Sequence, residues 1–283
     1  MVVIYSEECF KYGVLAHPES PERVSSIYTR LKLNINCQFV PAIKATRKDL
    51  LTVHSSHLVE SVRENTFAER DTPNIDGIYH FSRLAAGGAL QAAGITLTGK
   101  NAFSLMRPPG HHATIDQVGG FCYFNNVALA AVNLLNGGKK VAILDVDVHH
   151  GNGTENIFIG KKGVIFCSLH QIPLYPGTGF HTLQNCYNFP LRPGDNWQQY
   201  ESKLSDAMTR INSFNGDVLA VSLGFDTYRG DPLAGINLEI EDYKRMGKQI
   251  RSMKIPTFFV LEGGYSQDIG ILAENFFDGF NQT

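Results

Sequence analysis

Cysteine is scarce and unpaired in pattern: Cys9, Cys37, Cys122, Cys167 and Cys186 are odd in number, widely spaced and free of any CxxC. That argues against a disulfide framework and fits reduced thiols in a cytoplasmic protein. No apolar run approaches the ~20 residues of a membrane span. Met1 to Ser6 has no basic region leading into a long apolar core, so no signal peptide is expected. Basic charge is not in excess either: 25 Lys and Arg against 27 Asp and Glu give a net charge of -2, which offers no clustered basic surface for nucleic acid. Neither a GxGxxG nor a P-loop surrounds Gly87-Gly88, so that pair reads as close helix packing rather than phosphate binding. Fixed-period repeats, low-complexity tracts and long linkers are missing as well. One domain over residues 1–283 is expected, with a monomer favoured.

What the chain does have is an alternation of short apolar runs and helical patterns. Strands are expected at Val2–Tyr5, Ala102–Leu105, Val141–Leu144, Val164–Ser168, Val218–Ser222 and Thr257–Leu261. Helices are expected at 21–32, 81–96, 127–135, 197–214, 239–251 and 268–280, the first with Ser20 as its cap and Pro21 at its first position. Short buried strands alternating with helices define an α/β fold with a mainly parallel sheet covered on both faces.

The segment Val141-Ala-Ile-Leu-Asp-Val-Asp-Val-His-His-Gly-Asn-Gly153 is the most informative. In an extended strand Asp145, Asp147 and His149 share one face and Val146 and Val148 the other. Two carboxylates and an imidazole at the end of an apolar strand are costly to bury unless something binds them. Mixed oxygen and nitrogen donors suit zinc better than magnesium or calcium. Other strands also lead into polar groups: His111 and His112, Ser168 and His170, Asp226, and Glu262 to Tyr265. Ligands of open parallel sheets sit beyond the carboxyl ends of the strands, so these groups should converge. Asp147, His149 and Asp226 would supply three ligands to zinc and leave one position open. One of His111 and His112 would move protons, Asp145 would hydrogen-bond one of them, and Tyr265 would donate to an oxyanion. The sum is metal-assisted hydrolysis of an amide or ester. His150 reads as structural, Cys122 as packing, and His54, His57, His80 and His181 as surface or loop groups.

The motifs Arg107-Pro-Pro-Gly-His-His-Ala113, Gly119-Gly-Phe-Cys-Tyr-Phe-Asn-Asn126, Leu144 to Gly153, Ser168-Leu-His170, Tyr175-Pro-Gly-Thr-Gly179, Gly224-Phe-Asp226 and Glu262-Gly-Gly-Tyr265 resemble the histone deacetylase and acetylpolyamine amidohydrolase superfamily, in order from about His17 to the C-terminus. The resemblance implies an arginase-like fold with an eight-stranded, mostly parallel sheet. The Gly151-Asn152 pair looks like class II and bacterial members. The resemblance implies that Asp147, His149 and Asp226 hold zinc, and that His112, bonded towards Asn152, is the general base and acid. It pairs His111 with Asp145 and makes Tyr265 the residue that polarises the scissile carbonyl. Phe121 and Tyr175, with Gly120, would line an acyl tunnel whose rim carries Leu233 and Asp71, and Arg23 would lie near its base. A structural potassium ion is implied near Asp145, Asp147, His149, Ser168 and Leu169.

Substrate choice is the finer expectation. In the polyamine-selective eukaryotic member of the family a glutamate follows the Asp-Pro pair where this chain has Leu233. Bacterial polyamine members carry a long insertion near Asp71, and only a short stretch separates Arg63 from Ile75 here. An apolar rim without that insertion favours N6-acetyl-lysine in peptides or proteins, with acetylpolyamine as the alternative. A manganese ureohydrolase or an inactive acyl-lysine binding module are the more remote readings.

Overall fold

The computed structural model describes residues 1–33 and 37–282. All six expected strands are present, as β1 (Val2–Tyr5), β3 (Ala102–Ser104), β4 (Val141–Asp145), β5 (Val164–Gln171), β7 (Val218–Leu223) and β8 (Thr257–Leu261). Two more, β2 (Gln38–Pro41) and β6 (Cys186–Leu191), complete an eight-stranded sheet in the order β2-β1-β3-β8-β7-β4-β5-β6. Every pairing is parallel. The two added strands are the two edges, and each contains a proline, Pro41 and Pro190. An edge tolerates a missing N–H and needs no continuous apolar run, so these strands carry a weak sequence signal.

The helices are α1 (Pro21–Lys32), α2 (Arg47–Leu50), α3 (Ser56–Arg63), α4 (Ile78–Thr96), α5 (Asn126–Asn136), α6 (Asn152–Phe158), α7 (Trp197–Phe214), α8 (Ile240–Ser252) and α9 (Ile269–Asn281). Strand alternation sends successive side chains into two cores. Ala142 and Leu144 join Val24 of α1, Leu204 of α7, Met246 of α8 and Phe276 of α9 on one face. Val141 and Ile143 join Val59 of α3, Ala89 of α4, Leu129 of α5 and Phe158 of α6 on the other. Pro21 opens α1 as expected, but Ser20 makes no side-chain cap bond; its backbone alone has the extended shape of a cap. Among the described residues no helix is long and apolar enough to cross a membrane.

One local expectation needs correction. The extended strand stops at Asp145 and does not continue through His149. Beyond it Val146 N–H still donates to the Ser222 carbonyl at 3.0 Å, and the carboxylates hold the turn that follows: Asp145 Oδ1 accepts the Asp147 N–H at 3.1 Å, and Asp147 Oδ1 accepts the His149 N–H at 2.9 Å. Val146 and Val148 still point into the core, so the inward and outward sorting survives the end of the strand.

Candidate active site

The ends of β4 and β7 bring Asp147, His149 and Asp226 together, with ligand atoms all within 4.8 Å of one another and all three residues buried. His149 Nδ1 lies 3.0 Å from Asp147 Oδ1 and 3.1 Å from Asp226 Oδ2. Backbone donors complete the group: Val148 N–H to Asp226 Oδ1 at 2.8 Å and Gly263 N–H to Asp147 Oδ2 at 2.6 Å. A Cβ on Gly263 would fall 2.2 Å from Asp226 Oδ2, so only glycine fits that approach. Burial works against every charge here. It pushes Asp226 up to about 7 with help from Asp147, while the His111 and His149 charges hold Asp147 below the usual range. Against burial, Asp147 and Asp226 lift His149 to about 10. Two carboxylates and an imidazole competing for protons in a dry site are the donor set a divalent cation resolves, so these residues fit a metal ion. Among the described residues no other such group occurs.

Beside them sit the two histidines of the loop after β3. His111 Nδ1 is 3.0 Å from Asp145 Oδ2, and His112 Nδ1 is 2.7 Å from Asn152 Oδ1, the first residue of α6. Burial disfavours a charge on both rings, but the outcomes diverge. Asp147 and Asp145 outweigh burial at His111 and raise it to about 10. At His112 the neighbouring His111 and His149 add to burial and hold the ring well below its ordinary value.

A pocket of about 220 Å³ descends to this group, lined by Asp71, His112, Gly120, Phe121, His149, Leu174, Tyr175, Leu233 and Tyr265. It brings together the expected wall residues Phe121 and Tyr175 with the expected rim residues Leu233 and Asp71. Gly120, at φ +52°, has His112 Cδ2 2.3 Å from where a Cβ would stand. Phe121 itself has φ +69°, a strained value for an aromatic residue, and its N–H is held by the buried Thr72 hydroxyl at 3.1 Å. Tyr265 stands against Phe121, ring centroids 5.7 Å apart, with the Arg23 guanidinium 4.7 Å from its own centroid. Burial keeps its hydroxyl well above the ordinary value, so it stays protonated and able to donate.

Ser168 is buried and paired in register with Asp145, while its hydroxyl lies 2.9 Å from His170 Nδ1. His150 turns away from the pocket to Thr178 Oγ1, 2.7 Å off. His54 differs from the expected surface role. It is buried, its Nδ1 lies 2.9 Å from the Thr114 carbonyl, and its Nε2 accepts the Asn125 N–H at 2.9 Å. An isolated histidine carries no periodic signal of burial. Two carboxylates were also without an assigned role. Asp231 accepts the N–H groups of Tyr265, at 2.6 Å, and Leu233, at 2.9 Å. Glu262 accepts from the histidine loop. The Asp-Pro-Leu and Glu-Gly-Gly-Tyr runs marked both positions, but nothing in them names the partner.

Comparison with known proteins gives the class this arrangement defines. The histone deacetylase domain model matches residues 17–276, and the chain belongs to that family. Its relatives include acetylpolyamine amidohydrolase 2 of Pseudomonas aeruginosa, 39% identical over 86% of this chain and 79% of that protein. Acetylpolyamine amidohydrolase 1 of the same organism is 43% identical over 64% of this chain and 56% of its own length. Among solved structures, the HD domain of HDA15 matches with a TM-score of 0.93 and 32% identity, covering 100% of this chain and 88% of that one.

Proposed function

We propose that this chain is a zinc-dependent amidohydrolase that deacetylates acetylated amines, with acetylpolyamines as its preferred substrates. The observation that carries it is that His112, Tyr265 and His149 of the metal-type group all line one narrow pocket walled by Phe121 and Tyr175. A flat acetamide on a slim alkyl chain suits a pocket of about 220 Å³ with aromatic walls. Asp147, His149 and Asp226 would hold the zinc, which when bound supplies a water of lowered pKa and a Lewis acid for the carbonyl.

The side chains do the remaining work. His112 is neutral, and Asn152 Oδ1 beside Nδ1 places the proton on that nitrogen, which leaves Nε2 free to accept. It would take a proton from water as the water oxygen bonds to the acetyl carbon and return it to the nitrogen as the C–N bond breaks, giving acetic acid and the free amine, which exchange a proton to acetate and ammonium. His111, whose Nδ1 lies 3.0 Å from Asp145 Oδ2, would stand beside it as an electrostatic partner. Tyr265 donates its hydroxyl to the carbonyl oxygen as negative charge builds there. A potassium ion is proposed near Asp145, Asp147, His149, Ser168 and Leu169, on the family resemblance.

Two supports favour acetylpolyamine over acetyl-lysine. The names of the Pseudomonas aeruginosa relatives are the first. The second is at the rim, where Leu233 is apolar but Asp71 lines the same pocket and Glu69 Oε2 accepts the Asp71 N–H at 2.7 Å. A second ammonium emerging from the tunnel would meet that acidic wall. Assays of acetylputrescine, acetylspermidine and an acetyl-lysine peptide side by side, with metal analysis, test both levels. Acetylspermidine should lead in kcat/KM by roughly two- to fivefold, the worth of about 1 kcal/mol or less of charge pairing at an exposed rim. Faster turnover of the peptide would reverse the preference. No turnover of any acetylated amine by metal-loaded protein would end the deacetylase reading.

A further inference from the structure

The loop from Arg107 to Ala113 is short of amides, because Pro108 and Pro109 have none to give. Its outer side is tied down by the helices: Asn126 Nδ2 donates to the Pro108 carbonyl at 3.0 Å, and Thr154 N–H to the His111 carbonyl at 3.1 Å. Its inner side presents two amides, Gly110 and His111. Both donate to a single oxygen, Glu262 Oε2, at 2.7 and 3.0 Å, while Ser222 Oγ stands 3.4 Å from Oε1. Glu262 is fully buried at the end of β8. Its own backbone is fixed twice, by its N–H to the Leu223 carbonyl at 3.0 Å and by the Arg23 guanidinium on its carbonyl. The residue after it, Gly263, donates to Asp147, and Tyr265 is two further on.

We propose that Glu262 is the positioning residue of the histidine loop: by gathering the Gly110 and His111 amides on one oxygen, it sets where His112 stands over the pocket. It touches no reacting atom and acts through the loop. Because it also sits on the segment that carries Gly263 and Tyr265, it ties the proton-moving side of the site to the side that polarises the carbonyl. Its catalytic consequence rests on the deacetylase reading; its effect on the loop does not.

Hydrogen-bond geometry and charge are separable here. Glu262→Gln keeps the length and one carbonyl oxygen able to accept both amides, and it loses the charge. Glu262→Asp keeps the charge and loses one methylene of reach. Burial, aided by Asp145, lifts the Glu262 carboxyl to about 7, so a neutral amide is a close stand-in. Hydrogen exchange by mass spectrometry on the peptide spanning 107–113 reads the loop directly, since the two prolines contribute no amide signal.

In Glu262→Asp the peptide should exchange at least about tenfold faster. Its kcat should fall about tenfold or more, with KM and metal content within twofold of the parent. Glu262→Gln should restore slow exchange and recover most of kcat. Unchanged exchange in Glu262→Asp overturns the proposal, and so does fast exchange in a folded Glu262→Gln. Should Glu262→Asp not fold, Glu262→Gln against the parent protein decides by the same exchange measurement. A parent protein inactive on every acetylated amine would sink the deacetylase reading and leave the exchange result standing.

Discussion

At the floor of the pocket Asp147 and Asp226 are buried, and each accepts a backbone N–H from a neighbouring loop as well as facing His149. At the rim Asp71 is exposed, Tyr175 is 39% exposed, and Leu233 is half-buried. Both regions carry carboxylates, yet they obey different physics. At the floor low dielectric magnifies each charge, and every oxygen is committed by geometry. At the rim water and salt screen the same charge, so its worth is small and adjustable. On the proposed function, the chemistry would belong to the first region and substrate preference to the second.

The sharpest way to break that division is to remove a floor ligand. Asp226→Ala would delete one of the three proposed metal donors and leave the Val148 N–H without its partner. Since even residues behind a metal's ligands typically cost 10- to 100-fold, metal affinity should fall by more than about 100-fold and activity with it. Full metal content and normal turnover would remove Asp226 from the site. Tyr265→Phe is the next largest. It should keep fold and metal and lower kcat by about 100-fold or more, with KM little changed, because the bond strengthens as the oxyanion forms. A near-parental kcat would place the tyrosine outside the mechanism.

The floor was legible because its residues follow apolar strands at short, fixed spacing: Asp147 and His149 two apart, Asp226 just after β7, Tyr265 just after β8. The ties between loops were not, since they join distant positions. Gly110 to Glu262 spans 152 residues, and no local period encodes it. The edges β2 and β6 were invisible for the reason that makes them edges. His54 shows the same limit, because one histidine cannot announce its burial, and it yields the third prediction. Burial lowers its folded-state pKa to about 4, against 6.5 when exposed. A depressed histidine favours its neutral form, so its contribution is fully present above about 6.5. Below that the unfolded chain binds the extra proton, and stability is lost down to about pH 4. The gap of about 2.5 is worth on the order of 3 kcal/mol. Denaturation midpoints at pH 7 and pH 4.5 for the parent and His54→Gln should show a smaller acid loss in the variant; parallel losses would show that another group sets the acid limit.

The smallest effect belongs to the rim and bears on substrate choice. Asp71→Asn removes one carboxylate from the pocket wall, and Leu233→Glu adds one beside it. If a distal ammonium is read there, the first should lower kcat/KM for acetylspermidine relative to an acetyl-lysine peptide, and the second should raise it. A carboxylate near an ammonium at an exposed rim is worth about 1 kcal/mol or less, so each shift should be roughly two- to fivefold. Added salt should shrink both, whereas the Tyr265→Phe deficit, which comes from a buried donor, should not respond to salt. Equal and salt-insensitive ratios in both rim variants would show that neither position meets the cation, and the proposed polyamine preference would lose its support at the rim.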